Sequence, residues 1–477
     1  MAYLHGVYGQ LVGSGLTTAV SVGTLPVYFG LAPIHQLADY SGKVGVPLVV
    51  TSDGVGQALA GYSASWDKFS LSEPMYVHFR GTDPVGPIVL VNALDPDTHR
   101  GEEQVTKSLV WSGKAAKIET DIAILSTVEL AGKTIGVDFS AAYNDEGTQL
   151  IITDLTEEGL GIDQATYYEV DVTKVTADEV AAAVKAGVAL VYESALAVPT
   201  ILAAPGWSDQ REVNDALKAA AKEINGHWSA FVFDDLDVSA THTIDAAIDK
   251  KAAELRNTSG ESPCWPMATD GVRYYHLSTL AVARSQAVDA DNDNIPYETA
   301  SNKQIAITGL VIKDSDTYKP VRFDKTEANR LNAEGIKTAI YWGGSWRLWG
   351  PHTGAYKYGA ANVPEEVFDC SVRMAQYLSN GFQLRNGDKV DKPMHRAMVD
   401  TILDAEQEEL DRLINQGALL HGTISFLPDS NPDSDIMEGQ FVLDAQYTTV
   451  PPGRAIIGRY RYTAAGLEAL KGGEENV

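Results

Sequence analysis

The residues best placed to do chemistry are Gly206-Trp207-Ser208-Asp209-Gln210, because a serine at a sharp turn between a strand and a helix is how an α/β hydrolase presents its nucleophile. The second glycine of that pattern is missing. Ser208 also stands where the helix that follows, SDQREVNDALKAAAKEI, needs an oxygen for its free N–H groups, so its expected role is an N-cap. Ser345, after Gly343-Gly344, has no better claim to be a nucleophile. Phosphate binding requires a glycine-rich loop ending in Lys and a hydroxyl residue; Trp111-Ser112-Gly113-Lys114-Ala115 lacks both the leading glycine and the hydroxyl and reads as a surface turn. The stretch DADNDN at 289–294 opens like a calcium loop. However, Asn294 stands where that loop turns on glycine and Ala300 where it needs a bidentate Glu, so a solvated loop is expected there and at DSNPDSD, 429–435. The ten histidines form no H-E-x-x-H pattern or close pair, and Cys264 and Cys370 stand alone as expected buried thiols. No catalytic, cofactor-binding or metal-ligating residue is therefore assigned, and no cofactor is expected.

One aromatic stretch stands out. Tyr341 to Gly350 (YWGGSWRLWG) sets three tryptophans around Arg347, a composition suited to a buried anchor, a stacking surface for sugar or base, or an interface hot spot. The formal charge of −27 argues against nucleic acid, whose binding needs a positive footprint, and a packing knot near a domain junction is the expectation. The first basic residue is Lys43 and no run of about 18 apolar residues occurs, so a soluble chain made in a reducing cytoplasm, with no membrane partner, is expected.

The elements that must position these residues follow from periodicity. At 477 residues the chain has room for two to four domains. Residues 1–20, rich in glycine and without amphipathic period, read as an extended arm. Continuous apolar runs at 46–51 (VPLVVT), 88–92 (IVLVN), 200–204 and 231–233 predict buried strands of an α/β core spanning 21–95 and 186–345. Helices are predicted at 208–224, where Val213, Leu217, Ala220, Ala221 and Ile224 recur at helical spacing, and near 245–256. Between the two core parts, short alternating segments at 118–125, 133–139 and 148–153 predict an inserted antiparallel β domain, a sandwich or barrel, at 96–185. Beyond it, helices at 364–378 and 394–416 and strands at 439–448 and 454–462, joined by Pro451-Pro452-Gly453, predict an α+β carboxyl-terminal domain over 346–463 with a tail at 464–477.

Several of these stretches resemble the tail sheath proteins of contractile bacteriophages. A strand ending in Ala203-Ala204-Pro205-Gly206 before a helix and a second strand is similar to a pattern common in that family. So, more specifically, is Gly344-Ser345-Trp346-Arg347-Leu348-Trp349-Gly350-Pro351-His352-Thr353, although His352 stands where the family usually has Arg. Ser301-Asn302-Lys303, Leu413 to Leu419 and Asp435-Ile436 with Gly439 add to the likeness, which runs from about 20 to 465. The resemblance implies a subtilisin-like α/β core without an active site, in a chain that is structural and not an enzyme. Its implied partners are further copies of itself in stacked hexameric rings that contract, the inner tail tube protein around which they stack, and the baseplate and tail terminator proteins. Its implied place is the virion tail, assembled in the host cytoplasm, with the inserted domain outside and the carboxyl-terminal domain toward the tube. A sheath of a headless contractile bacteriocin or injection particle is the alternative of the same class; a degenerate hydrolase is the one from another. The resemblance also implies strand exchange between neighbours, for which Val12, Thr17, Val20, Phe441, Leu443, Ile456, Ile457 and Tyr460 are the candidate residues, while Pro205, Gly206, Gly344, Arg347, Trp349, Gly350 and Thr353 carry the family pattern.

Overall fold

The structure, a computed structural model, describes residues 23–471. Its core is a six-stranded sheet in the spatial order Glu261–Cys264, Phe231–Asp235, Ile201–Ala203, Pro26–Gly30, Ile88–Asn92, Pro47–Val50; the first five are mutually parallel and the last is antiparallel. Parallel strands need helical crossovers that cover both faces, which is why their middles are apolar, while the polar residues they do carry, Asn92, Asp234, Asp235, Glu261 and Ser262, are buried. Alternate residues divide between the two sides. Val27, Phe29, Val89, Val91, Leu202 and Val232 face a cluster completed by the helices Ala177–Ala195 and Arg211–Lys222. On the other side Tyr28, Leu90, Ile201, Phe231 and Phe233 pack with the helix Leu277–Asp291.

The helix Ala177–Ala195 opens on a reciprocal cap between Thr176 and Glu179 and buries Val180, Val184, Val188 and Val191 against the core sheet. Residue 185, the end set for the inserted domain from sequence, falls inside it. The inserted strands form a four-stranded antiparallel sheet, Trp111–Ser112, Ala115–Glu119, Gln149–Asp154, Phe139–Tyr143, and a two-stranded ladder, Val105–Ser108 with Gln164–Tyr167. This corrects the barrel alternative. Among the described residues the sheet's outer strands pair with neither each other nor the ladder, so the sheet does not close, and the two pieces enclose a core around Phe139, Leu150, Ile152 and Tyr167. His35 and Gln36 of the main core reach Asp121 O, and Lys68 pairs with the Asp121 carboxylate, seating this unit on the core.

A further antiparallel sheet, Tyr274–Tyr275, Met267–Thr269, Gly309–Asp314, Thr317–Val321, lies where no strand is expected from the residue pattern. The carboxyl-terminal part consists of the helices Asp369–Asn386 and Arg396–Asn415 and the hairpin-like pair Leu419–Ser425 with Asp444–Thr449. Buried ion pairs attach its first helix to the core: Arg373 with Asp289, and Lys337 with Asp369 at 2.9 Å. Asp289 therefore ends a core helix, and the loop expected at 289–294 starts only after Asp291.

Candidate functional site

In a layered α/β sheet a ligand site belongs at the carboxyl ends of the parallel strands, beside the place where strand order reverses. Here that place lies between Pro26–Gly30 and Ile201–Ala203, and a buried polar cluster fills it. Pro205 and Gly206 make the turn after Ala203-Ala204, with Gly206 at φ +73°. Ser208 is fully buried, and its Oγ accepts from the Asp235 N–H at 3.0 Å. The helix starts later, at Arg211 after Gln210, with no side-chain cap, so Ser208 is not the N-cap expected from sequence. It joins the turn after one strand to the end of the next.

Facing it, His276 Nδ1 meets Glu73 Oε2 at 2.6 Å and the His276 N–H donates to Glu73 Oε1 at 2.7 Å. Burial alone would lower the His276 pKa, but Glu73, with Asp235 and Asp209 behind it, raises it to about 9. Asp235 accepts from both the backbone N–H and the hydroxyl of Ser278, yet burial pushes its carboxyl up to about 6. Burial likewise raises the Cys264 thiol well above its ordinary value, which keeps it protonated and unreactive. The space that Gly206, Asp209, Asp235, Cys264 and His276 share is about 20 Å³, room for one water and not for a substrate. Ser208 is committed to a backbone amide and His276 to a carboxylate, so no nucleophile–base pair forms. Among the described residues no three His, Cys, Asp or Glu side chains are grouped to hold a metal ion, and no helix is long and apolar enough to cross a membrane.

The His276–Glu73 pair makes stability depend on pH. The folded protein holds the His276 proton up to about pH 9, whereas an unfolded chain loses it near 6.5. The pair's contribution is thus complete below about 6.5 and is lost as pH rises through 9. His276→Gln is expected to lower stability by about 2 kcal/mol at pH 6, with the gap to the parent closing by about pH 10, as read from urea midpoints across that range. A gap that stays constant with pH would show that the imidazolium contributes nothing through its charge.

Apart from Pro205 and Gly206, the family-pattern residues lie on a hairpin and the loop after it, where Leu348 and Thr353 are buried but Tyr341 and Trp342 are 63% and 51% exposed. Thr338–Trp342 and Ser345–Trp349 pair through a two-residue turn in which Gly343 and Gly344 take φ of +61° and +85°, the left-handed geometry that such turns demand. Arg347 donates to Asn302 O at 2.8 Å, and Trp349 Nε1 to Asn329 Oδ1 at 3.1 Å. Gly350, at φ +125°, passes so close to the neighbouring helix that a Cβ would lie 2.5 Å from Asn332 Oδ1. Its N–H donates to Ser301 Oγ and its carbonyl accepts from the buried Lys337 ammonium. Thr353, fully buried, donates to Glu366 O, and His352 stacks on Tyr356 with ring centres 3.6 Å apart. His352 is a buried neutral ring, its pKa lowered to about 4 chiefly by burial.

The candidate partner strands lie at the chain's ends. Val12, Thr17 and Val20 lie outside the described residues. Phe441 and Leu443 are half-buried and precede the strand, which begins at Asp444 and not near 439. The stretch 454–462 is no strand within this chain, a second correction. After Pro451-Pro452 it leaves the body unpaired, with Ile456 94%, Ile457 79% and Tyr460 98% exposed. Among the described residues the strands Leu419–Ser425 and Asp444–Thr449 pair as strands only with each other; Gln407 bonds Gly422 O and the Ile424 N–H on the outer side of the first, which leaves the edge of Asp444–Thr449 open. Sequence alternation showed that 454–462 could be a strand; it could not show that the strand lacks a partner in its own chain.

No protein-family model matches the chain. The tail sheath protein of Burkholderia phage BcepMu is 26% identical over 504 aligned residues, covering 99% of both chains. That of Escherichia phage P2 is 26% identical over 73% of this chain and 85% of its own. Among solved structures, a chain from the six-fold symmetrised baseplate of the anti-feeding prophage superposes with a TM-score of 0.58 at 13% identity, covering 97% of this chain and 100% of that one. The PVC sheath complex of an extracellular contractile injection system, in its contracted state, gives 0.57 at 13% identity over 98% and 99%. At such identity these last two likenesses are of fold alone.

Proposed function

We propose, taking this chain as one of the tail sheath proteins of contractile phages, that it is a structural subunit which polymerises as stacked hexameric rings around an inner tail tube and contracts to drive that tube through a host envelope. The observation that carries this is the end-to-end match to the BcepMu tail sheath protein. The closed polar cluster above supports a structural role without catalysis, on a core read as subtilisin-like in layering only. Baseplate and terminator proteins are the further partners at the ends of the polymer, the virion tail is its place, and the host cytoplasm is where it assembles. The sheath of a headless injection particle is the second reading, favoured by the fold likeness to the PVC complex.

The subunits are joined at their ends. A free sheet edge offers unpaired donors and acceptors to an incoming strand, and the exposed segment 454–462 is such a strand. Purified full-length protein is expected to form striated tubes under negative stain. Deleting 1–18 or 454–477 is expected to leave a folded, soluble subunit that forms none, because the described core lies between the cuts. Tubes of normal length from both truncations would remove the arms from the joint.

A further inference from the structure

Charge is distributed unevenly over the last part of the chain. Between Gly417 and Thr449 there are five carboxylates, Asp429, Asp433, Asp435, Glu438 and Asp444, and no Lys or Arg. Between Val450 and Thr463 there are three arginines, Arg454, Arg459 and Arg461, and no carboxylate, in a chain whose formal charge is −27. Among the described residues none of these five acids is ion-paired, nor is Arg459 or Arg461. The acidic stretch is ordered. Asn431 exchanges hydrogen bonds with the backbone of Val442 at 2.8 Å in both directions, and a short helix, Asp433–Met437, holds the loop between the two strands.

The geometry points to a charge-keyed joint, resting on the arm-exchange reading above: the cationic arm of one copy docks against the acidic strand pair of a second copy, and its arginines select that site. In extended backbone Ile456, Tyr460 and Tyr462 share one face of the arm, while Ile457, Arg459 and Arg461 share the other. The apolar face has a matching surface beside the strand Asp444–Thr449, a groove of about 310 Å³ whose apolar lining is Leu378, Phe382, Leu410, Ile424, Leu443 and Tyr447 and whose charged lining, Arg385 with Glu406 and Glu409, is paired within itself. The arm does not reach its own groove. Pro451 and Pro452 lack N–H groups and fix φ, so the chain leaves the strand without turning back, and Ile456 and Tyr460 stay exposed. Main-chain pairing alone is indifferent to sequence and would accept any strand. Opposite charges on arm and receptor supply the selectivity and speed the encounter, against the repulsion between bodies of like charge.

The test reverses each side separately in the full-length chain. Arg459→Glu with Arg461→Glu, and Asp433→Lys with Asp435→Lys and Glu438→Lys, are each expected to leave the main thermal transition of the subunit in place, because none of these side chains is ion-paired and Asp435 accepts only from its neighbour Ser434, and to reduce tube formation at least about tenfold. All five substitutions together are expected to restore tubes. Normal assembly by both reversed sets, while the 454–477 deletion still fails, would overturn the charge key and leave the joint. No recovery in the combined variant would also overturn it, by sending the arginines to a different surface. Tubes from the deletion itself would instead sink the underlying joint.

Discussion

Replacing Arg256 by Met is expected to destabilise the protein by about 3–5 kcal/mol, the usual cost of removing one partner of a fully buried ion pair. Neither Arg256 nor Asp234 has any exposed side-chain surface, and their charged groups are 2.5 Å apart. The same guanidinium donates to Asp235 O at 2.8 Å and to Glu254, so it ties the end of the strand Phe231–Asp235 to the end of the helix Ile244–Ala253. Burial raises the Asp234 pKa, and Arg256 is the largest influence opposing that rise. Without the arginine the carboxylate must take up a proton or remain charged in a dry site. The loss, followed by urea midpoint, is therefore expected to shrink as pH falls. Adding Asp234→Leu is expected to recover part of it, because an apolar pair leaves no orphaned charge. Equal losses at pH 5 and pH 8 would show that Arg256 acts by packing and not by charge.

Arg373→Met is expected to have a similar cost and a different signature. Arg373 carries the ion pair from the carboxyl-terminal helix to Asp289, whose same oxygen also accepts from Thr24 at 2.5 Å, just before the strand Pro26–Gly30. Its loss leaves Asp289 fully buried beside only a hydroxyl, again on the order of 3–5 kcal/mol. The bond crosses between units, so melting is expected to split into two transitions, with proteolysis beginning in 387–449. A single transition at a lower temperature would mean that the remaining contacts, among them Lys337 with Asp369 and Asn380 with Ser229, keep the units coupled.

Both arginines mark what the sequence hides. Runs such as IVLV at 88–91 and FVF at 231–233 are legible as core strands because a parallel sheet covered on both faces favours apolar residues at successive positions. Arg256, Lys337 and Asp289 look in sequence like any surface charge, and their burial follows from partners 22, 32 and 84 positions away. Ser208 was misread for the same reason: a local cap can be inferred from four residues, whereas its actual partner is the Asp235 amide. The strands of the sheet between Met267 and Val321 run only two to six residues, too short to show a period. The helix over residue 185 had a readable start in Thr176-x-x-Glu179, outweighed in the sequence reading by the β character of the stretch before it. The arm residues 454–462 alternate like a strand and are unpaired and exposed within this chain.

The ion pairs that lock the helix Asp369–Asn386 to the core also bear on how a lattice of such subunits would rearrange. With that helix bolted to the sheet, in the proposed sheath a change of pitch or radius would fall on the short proline-led tether after Thr449. Each copy would then behave as a stiff tile on a compliant cord. The work released on contraction would come from tiles finding better faces against one another, so it would be stored in the packing of the lattice and not in the folding of its parts.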